Sequence, residues 1–176
     1  MPVSLLTPDH TPAYRDLMLE AYAGAPDAYT ATAEERAAEP DSWWRQRVAD
    51  PAGSTLCWGA FDDGDTLVGS VALEFGTRPK ARHKALLIGM YVQPAARGRG
   101  LGDALLRAAL QAAQARDGIR VVNLTVTEGN AAAIALYRRH GFVAWGTEPR
   151  AIASGDGFKA KVHMALPLRD AGGLRP

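Results

Sequence analysis

The run Gly89-Met90-Tyr91-Val92-Gln93-Pro94-Ala95-Ala96-Arg97-Gly98-Arg99-Gly100-Leu101-Gly102-Asp103-Ala104-Leu105-Leu106 constrains the fold more than any other part of the chain. An apolar segment breaks at a proline, crosses a glycine-arginine turn and resumes with helical spacing, which predicts strand, loop and helix in that order. Three alternating glycines, Gly98, Gly100 and Gly102, keep side chains away from the first N–H groups of the helix, which have no carbonyl partner in the helix itself. Together with the helix dipole, such a backbone can close on an anion, most naturally a phosphate. Two common phosphate loops fail on spacing. A Walker loop needs Lys and Ser/Thr after its last glycine and a dinucleotide loop needs G-x-G-x-x-G, whereas Gly102 falls one residue early and is followed by Asp103.

The spacing that is present, Arg97-x-x-Gly100-x-Gly102, resembles the acyl-CoA pyrophosphate loop of the GNAT acetyltransferases, written Q/R-x-x-G-x-G/A. A second segment strengthens the resemblance: Asn130, Ala133, Leu136, Tyr137, Gly141 and Phe142 match the family's N-x-x-A-x-x-L-Y-x-x-x-G-F, with room for one helix and one strand before it. The resemblance implies an α/β (α+β) fold, with a mixed, mostly antiparallel sheet, helices on both faces and a splayed central parallel strand pair. It also implies acetyl-CoA as cosubstrate, its pantetheine arm lying in the splay against the backbone of Met90, Tyr91 and Val92. The pyrophosphate would then sit at Arg97, Gly98, Arg99, Gly100, Leu101, Gly102 and Asp103. Gly89 reads either as a bulge and close-approach position or as a packing glycine.

Length and composition are consistent with this. The 176 residues, 47% hydrophobic and 22% charged, suit one domain, expected over residues 1–168, with a glycine- and proline-rich tail at 169–176. A formal charge of +1 offers no bulk field for nucleic acid or an anionic membrane, so neither is an expected partner. Neither a secretory signal nor a bilayer-length apolar run is visible, which makes the cytoplasm the expected location. Cys57, the single cysteine, lies in an apolar strand pattern and reads as a small buried hydrophobe. The four histidines are scattered without ligand spacing, and no metal is expected.

In chain order, residues 3–6 predict a first strand, and Tyr14, Leu17, Met18 and Ala21 a first helix. One segment of two helical pieces follows, counted as the second helix, one piece capped by Thr32 and the other by Asp41 or Ser42. Asp62-Asp63-Gly64-Asp65 predicts a hairpin with its glycine at positive φ, and the basic stretch 76–83 leads into the strand ending at Val92. A helix from Leu101, a strand over 120–127, a helix capped by Asn130 and two final strands complete the order β-α-α-β-β-β-α-β-α-β-β, the family's own. By the same resemblance the early helices cover the acceptor side, so Tyr22, Tyr29, Trp43 and Trp44 are either acceptor-pocket or packing aromatics. The acidic run Glu34, Glu35, Glu39 and Asp41 would either attract a cationic acceptor or only favour helix dipoles. The basic stretch is read as a solvated loop or as one touching substrate or the phosphates of CoA.

For the chemistry, the resemblance implies direct attack of a primary amine, on a small molecule or a peptide, on the thioester in a ternary complex. An alkyl ammonium has a pKa near ~10.4, so about one molecule in a thousand is reactive at neutral pH and a base or proton wire is needed. The resemblance points to a carboxylate on a central strand beside the acceptor, which makes Glu74 the first candidate, or else an exposed strand-end charge; Glu128 is the second, and a water relay needs neither. Tyr137 lies two helical turns after Asn130, on the same face, and is read either as the acid that protonates the leaving thiolate or as a core aromatic. Asn130 bonds the pantetheine, caps its helix, or does both. A non-catalytic acyl-CoA-binding module on the same fold is the alternative reading, and a homodimer is left open by analogy with the fold.

Overall fold

The computed structural model describes residues 2–155 and 157–168; the expected tail at 169–176 lies outside them. In chain order the elements are β1 (Val3–Leu5), α1 (Thr11–Gly24), α2 (Ala33–Ala37), α3 (Asp41–Val48), β2 (Thr55–Phe61), β3 (Leu67–Phe75), β4 (Lys84–Val92), α4 (Leu101–Ala115), β5 (Val121–Thr127), α5 (Ala131–Arg139), β6 (Val143–Ser154) and β7 (Gly157–Pro167). The strands form one sheet in the order β1-β2-β3-β4-β5-β7-β6, antiparallel at every junction except β4–β5. Among the described residues no helix is long and apolar enough to cross a membrane.

Alternation along the strands sends side chains to two cores, one on each face. On one face α4 contributes Leu101, Leu105, Leu106 and Ala109, against Trp58, Val71, Leu87 and Val122. On the other, α1 and α3 supply Tyr14, Leu17, Met18, Trp44 and Val48, against Cys57, Phe61 and Ala72. Burial pushes the Cys57 thiol up to about 12, as suits a packing residue.

Gly89 is a bulge. Between Ser70↔Tyr91 and Ala72↔Ile88, β4 spends one residue more than β3, and Gly89 takes φ +61°. The extra residue inverts the alternation: Ala85 and Leu87 face the α4 core before it, whereas Met90 and Val92 face that core after it. Buried Ser70 donates its hydroxyl hydrogen to the Gly89 carbonyl at 3.0 Å, which gives the distorted backbone a partner.

Three local expectations are corrected. In the β2–β3 hairpin the positive φ falls on Asp65, at +60°, and not on Gly64, because Asp62 Oδ1 accepts from both Gly64 N–H and Thr66 N–H and fixes the turn one residue later. Neither Asp41 nor Ser42 caps α3: Pro40, extended at φ −70° and ψ 159°, is the cap, and Asp41 already belongs to the first turn. The basic stretch 76–83 precedes β4, whereas the glycine loop follows it, which sets the two roughly 25 Å apart. Gly76, Thr77 and Arg82 line a separate hollow with Arg116.

Candidate active site

β4 and β5 pair through only three positions, Lys84↔Val121, Ala85↔Val122 and Leu86↔Asn123. Beyond them the strands diverge, and a cleft of about 320 Å³ opens between residues 87–90 and 125–127. A β-bulge bends its strand, and Gly89 sits where β4 turns away, so the local distortion accounts for the opening. The edge of β4 that faces this opening presents backbone groups to the cleft, those of Met90 among them. Val92 lies farther along, where its carbonyl accepts a hydrogen bond from Arg97 Nε at 3.0 Å. The Tyr91 side chain points to the opposite face and donates its hydroxyl to Glu20 at 2.9 Å.

The glycine loop continues from the end of β4. Gly98 and Gly100 both stand at φ +75°, and a Cβ at either would meet nothing within 4 Å, so the loop is an open cradle. Gly100 is the cap of α4, and no side chain bonds the helix start. The first intrahelical donor is Ala104 N–H, on the Gly100 carbonyl at 3.0 Å. The N–H groups of Leu101, Gly102 and Asp103 therefore point along the dipole toward any anion in the cradle. Asp103 turns its carboxylate away from the cradle, to His140 at 2.7 Å and to Arg107, and these two partners hold it below the usual carboxylate range. Its part at an anion site is its backbone N–H. Leu101 is buried in the α4 core, and Arg99 is exposed.

α5 supplies one wall. Asn130 accepts from Ala133 N–H at 3.2 Å, capping the helix through Oδ1 and leaving its amide N–H groups for the cleft. Tyr137 also lines the cleft, its ring edge-on to Phe142 at 5.8 Å. Among the described residues nothing hydrogen-bonds its hydroxyl, and burial pushes the phenol up to about 12.

The facing wall comes from the early helices. Tyr22 and Tyr29, edge-on at 4.7 Å, line the cleft, as do Arg36 and Arg47. Trp44 does not: it is fully buried beneath α3, 6.1 Å from Tyr14. Trp43 lies between the two arginines, each guanidinium 4.6 Å from its ring. Residues 28–31 complete this wall and, with Asp27 beside them, are tied to β5, β6 and β7. Asp27 bonds Ser154 at 2.6 Å and pairs with Lys159, Thr127 donates to the Asp27 carbonyl at 2.6 Å, and Lys161 donates to Thr30 at 2.7 Å.

Glu74 does not reach the cleft. It stands behind Arg47, 3.7 Å away and partly exposed. Glu128 lies in the turn after β5, also off the cleft. The acidic run is likewise turned aside: Glu35 closes the capping box of α2 on Thr32, and Glu39 pairs with Arg36. Sequence reasoning passed over Arg36, Arg47 and Lys161. One signal was available for Arg47, which lies four residues after Trp43 and so shares its helix face.

Comparison with known proteins agrees with this geometry. The profile of the acetyltransferase (GNAT) family matches residues 12–142. A mycothiol acetyltransferase of Geodermatophilus obscurus is 39% identical over 127 residues, 69% of this chain and 37% of that protein, so the chain spans well under half of that relative's length. An L-amino acid N-acetyltransferase of Escherichia coli is 32% identical over 61% of this chain and 64% of its own length. In structure, yncA of Salmonella typhimurium, solved with its cofactor acetyl-CoA, superposes with a TM-score of 0.80 over 99% of this chain and 98% of that one, at 19% identity, a likeness of fold. With the family profile matching residues 12–142 and β4 and β5 splaying beyond a short parallel pairing, the chain belongs to the GNAT acetyltransferase family.

Proposed function

We propose that this protein transfers an acetyl group from acetyl-CoA to a primary amine, by direct attack within a ternary complex. The observation that carries the reading is adjacency: the uncapped start of α4 lies against α5, where a Cβ on Gly102 would stand 3.5 Å from Leu136, and α5 with its cap Asn130 walls the cleft between β4 and β5 and bears Tyr137. The open cradle and its unclaimed N–H groups suit a diphosphate, and the unpaired edge of β4 suits the amides of pantetheine. A backbone N–H near the bulge would donate to the thioester oxygen as it gains charge. Tyr137, neutral and facing the cleft, would give its proton to the departing thiolate.

Among the described residues no carboxylate lines the cleft, so the amine's proton would leave through water and not by direct transfer to Glu74. The cosubstrate supplies the activated acyl group; the chain supplies position, hydrogen bonds and one proton.

Two measurements test this. Free-thiol release from acetyl-CoA against a panel of amines should be amine-dependent; binding without release by any amine or peptide would favour a non-catalytic module. For the cradle, Gly100→Ala should weaken acetyl-CoA binding, measured by calorimetry. A loop able to relax in the free protein must regain φ +75° on binding, at about 1–2 kcal/mol, or about 5- to 30-fold in Kd. Unchanged affinity would remove the phosphate assignment.

A further inference from the structure

The acceptor side of the cleft is cationic. Arg36, Arg47 and Lys161 line it, and no acidic side chain among the described residues does. Glu39 and Glu74, which partly balance the arginines, lie off the cleft, at 3.4 and 3.7 Å. Such separations leave most guanidinium donors unused: Arg36 Nε is buried with no partner, and Glu74 is beyond hydrogen-bond length from Arg47. Both guanidiniums pack on the indole of Trp43, whose π face tolerates two like charges close together, and Arg36 also lies 5.9 Å from the Tyr22 ring. Arg47 and Gly89 line the same cleft, and Arg47 acts electrostatically on the buried Tyr14 hydroxyl, which lies 3.6 Å from where a Cβ on Gly89 would stand, so the guanidinium is near the bulge.

A simple ammonium entering such a cleft meets only like charge. An amine that also carries a carboxylate meets two planar donor forks suited to bidentate contact. We infer that the acceptor is an amine bearing a carboxylate, an amino acid or a close analogue, held by Arg36 and Arg47 where they stack on Trp43. This rests on the transferase reading but adds to it a side-chain subsite and a substrate class. Within the subsite Trp43 is a positioning residue, since it acts through the arginines.

The test compares each amino acid with its own carboxamide and its decarboxylated amine, following thiol release. The carboxamide has the less basic amine and so presents more of the neutral nucleophile; without a subsite it should react faster. The expected result is the reverse, with the acid ahead in kcat/KM by roughly tenfold or more. Arg47→Met and Arg36→Met should each bring the acid-to-amide ratio toward one through KM, Arg47→Lys should restore part of it, and acetyl-CoA affinity should stay as in wild type. Acid and amide equal in the wild type, or arginine variants that lose acetyl-CoA affinity with the ratio intact, would overturn the proposal. If no amine turns over, calorimetry of acid against amide on the CoA-loaded protein decides separately. Preferential binding of the acid upholds the subsite while the transferase reading falls; equal binding, or none, overturns the subsite.

Discussion

Replacing Tyr137 by phenylalanine is expected to lower kcat about a hundredfold while leaving the acetyl-CoA Kd within about twofold. The phenol lines the cleft, has no competing hydrogen bond among the described residues, and is held neutral because burial raises it to about 12. The sign follows directly. The proton is present below that pKa and lost only above it, so wild-type activity should climb with pH as the amine deprotonates, with no fall from Tyr137 up to about pH 10. Phenylalanine preserves the edge-on contact with Phe142, so stability should change little, and a rate loss would report chemistry and not packing. Single-turnover thiol release with calorimetry on the same preparation makes the measurement. An unchanged kcat would leave Tyr137 a core aromatic.

Trp44→Ala should cost about 3–5 kcal/mol of unfolding free energy, a large share of the ~5–15 kcal/mol typical of a domain. The indole is completely buried, edge-on to Tyr14 at 6.1 Å and to Trp43 at 4.9 Å, so its removal leaves a cavity where α1, α3 and the sheet meet. Trp44→Phe should cost clearly less, because it fills much of the space and also removes a buried N–H that has no partner. Urea unfolding of the three proteins tests the order. A loss below about 1 kcal/mol for alanine would mean that α3 is not anchored through this residue.

Backbone-dictated parts of this protein were legible from residues alone. A proline followed by alternating glycines permits few conformations, so the cradle at Gly98 and Gly100 and the cap at Asn130 could be placed without coordinates. The bulge at Gly89 stood among the alternatives for the same reason. What stayed hidden depends on which way short helices turn. α2 has five residues and α3 eight, too few for periodicity to fix a face, and their mean polarity is high. Arg36 and Arg47 therefore looked like solvated charges, and Trp43 and Trp44 looked equivalent, although one is half-buried between arginines and the other is sealed in the core. Glu74 is suggested by its strand and does share the face of Ala72, under α1 and α3, but Arg47 of α3, beside it, is the residue that lines the cleft.

The order of strands also governs when the site can exist. β7 is last along the chain yet lies inside the sheet, between β5 and β6, and it carries Lys161 and Lys159, which tie down residues 27–30 on the acceptor wall. During synthesis the cradle and α5 emerge well before β7, so a ribosome-bound chain can fashion its phosphate grip while the opposite wall has only Thr127 of β5 to fasten to and still lacks its lysine ties. These late ties span more than a hundred residues, and closures of that range are slow. Acceptor recognition should accordingly be the last property a refolding molecule regains, trailing the recovery of cosubstrate binding.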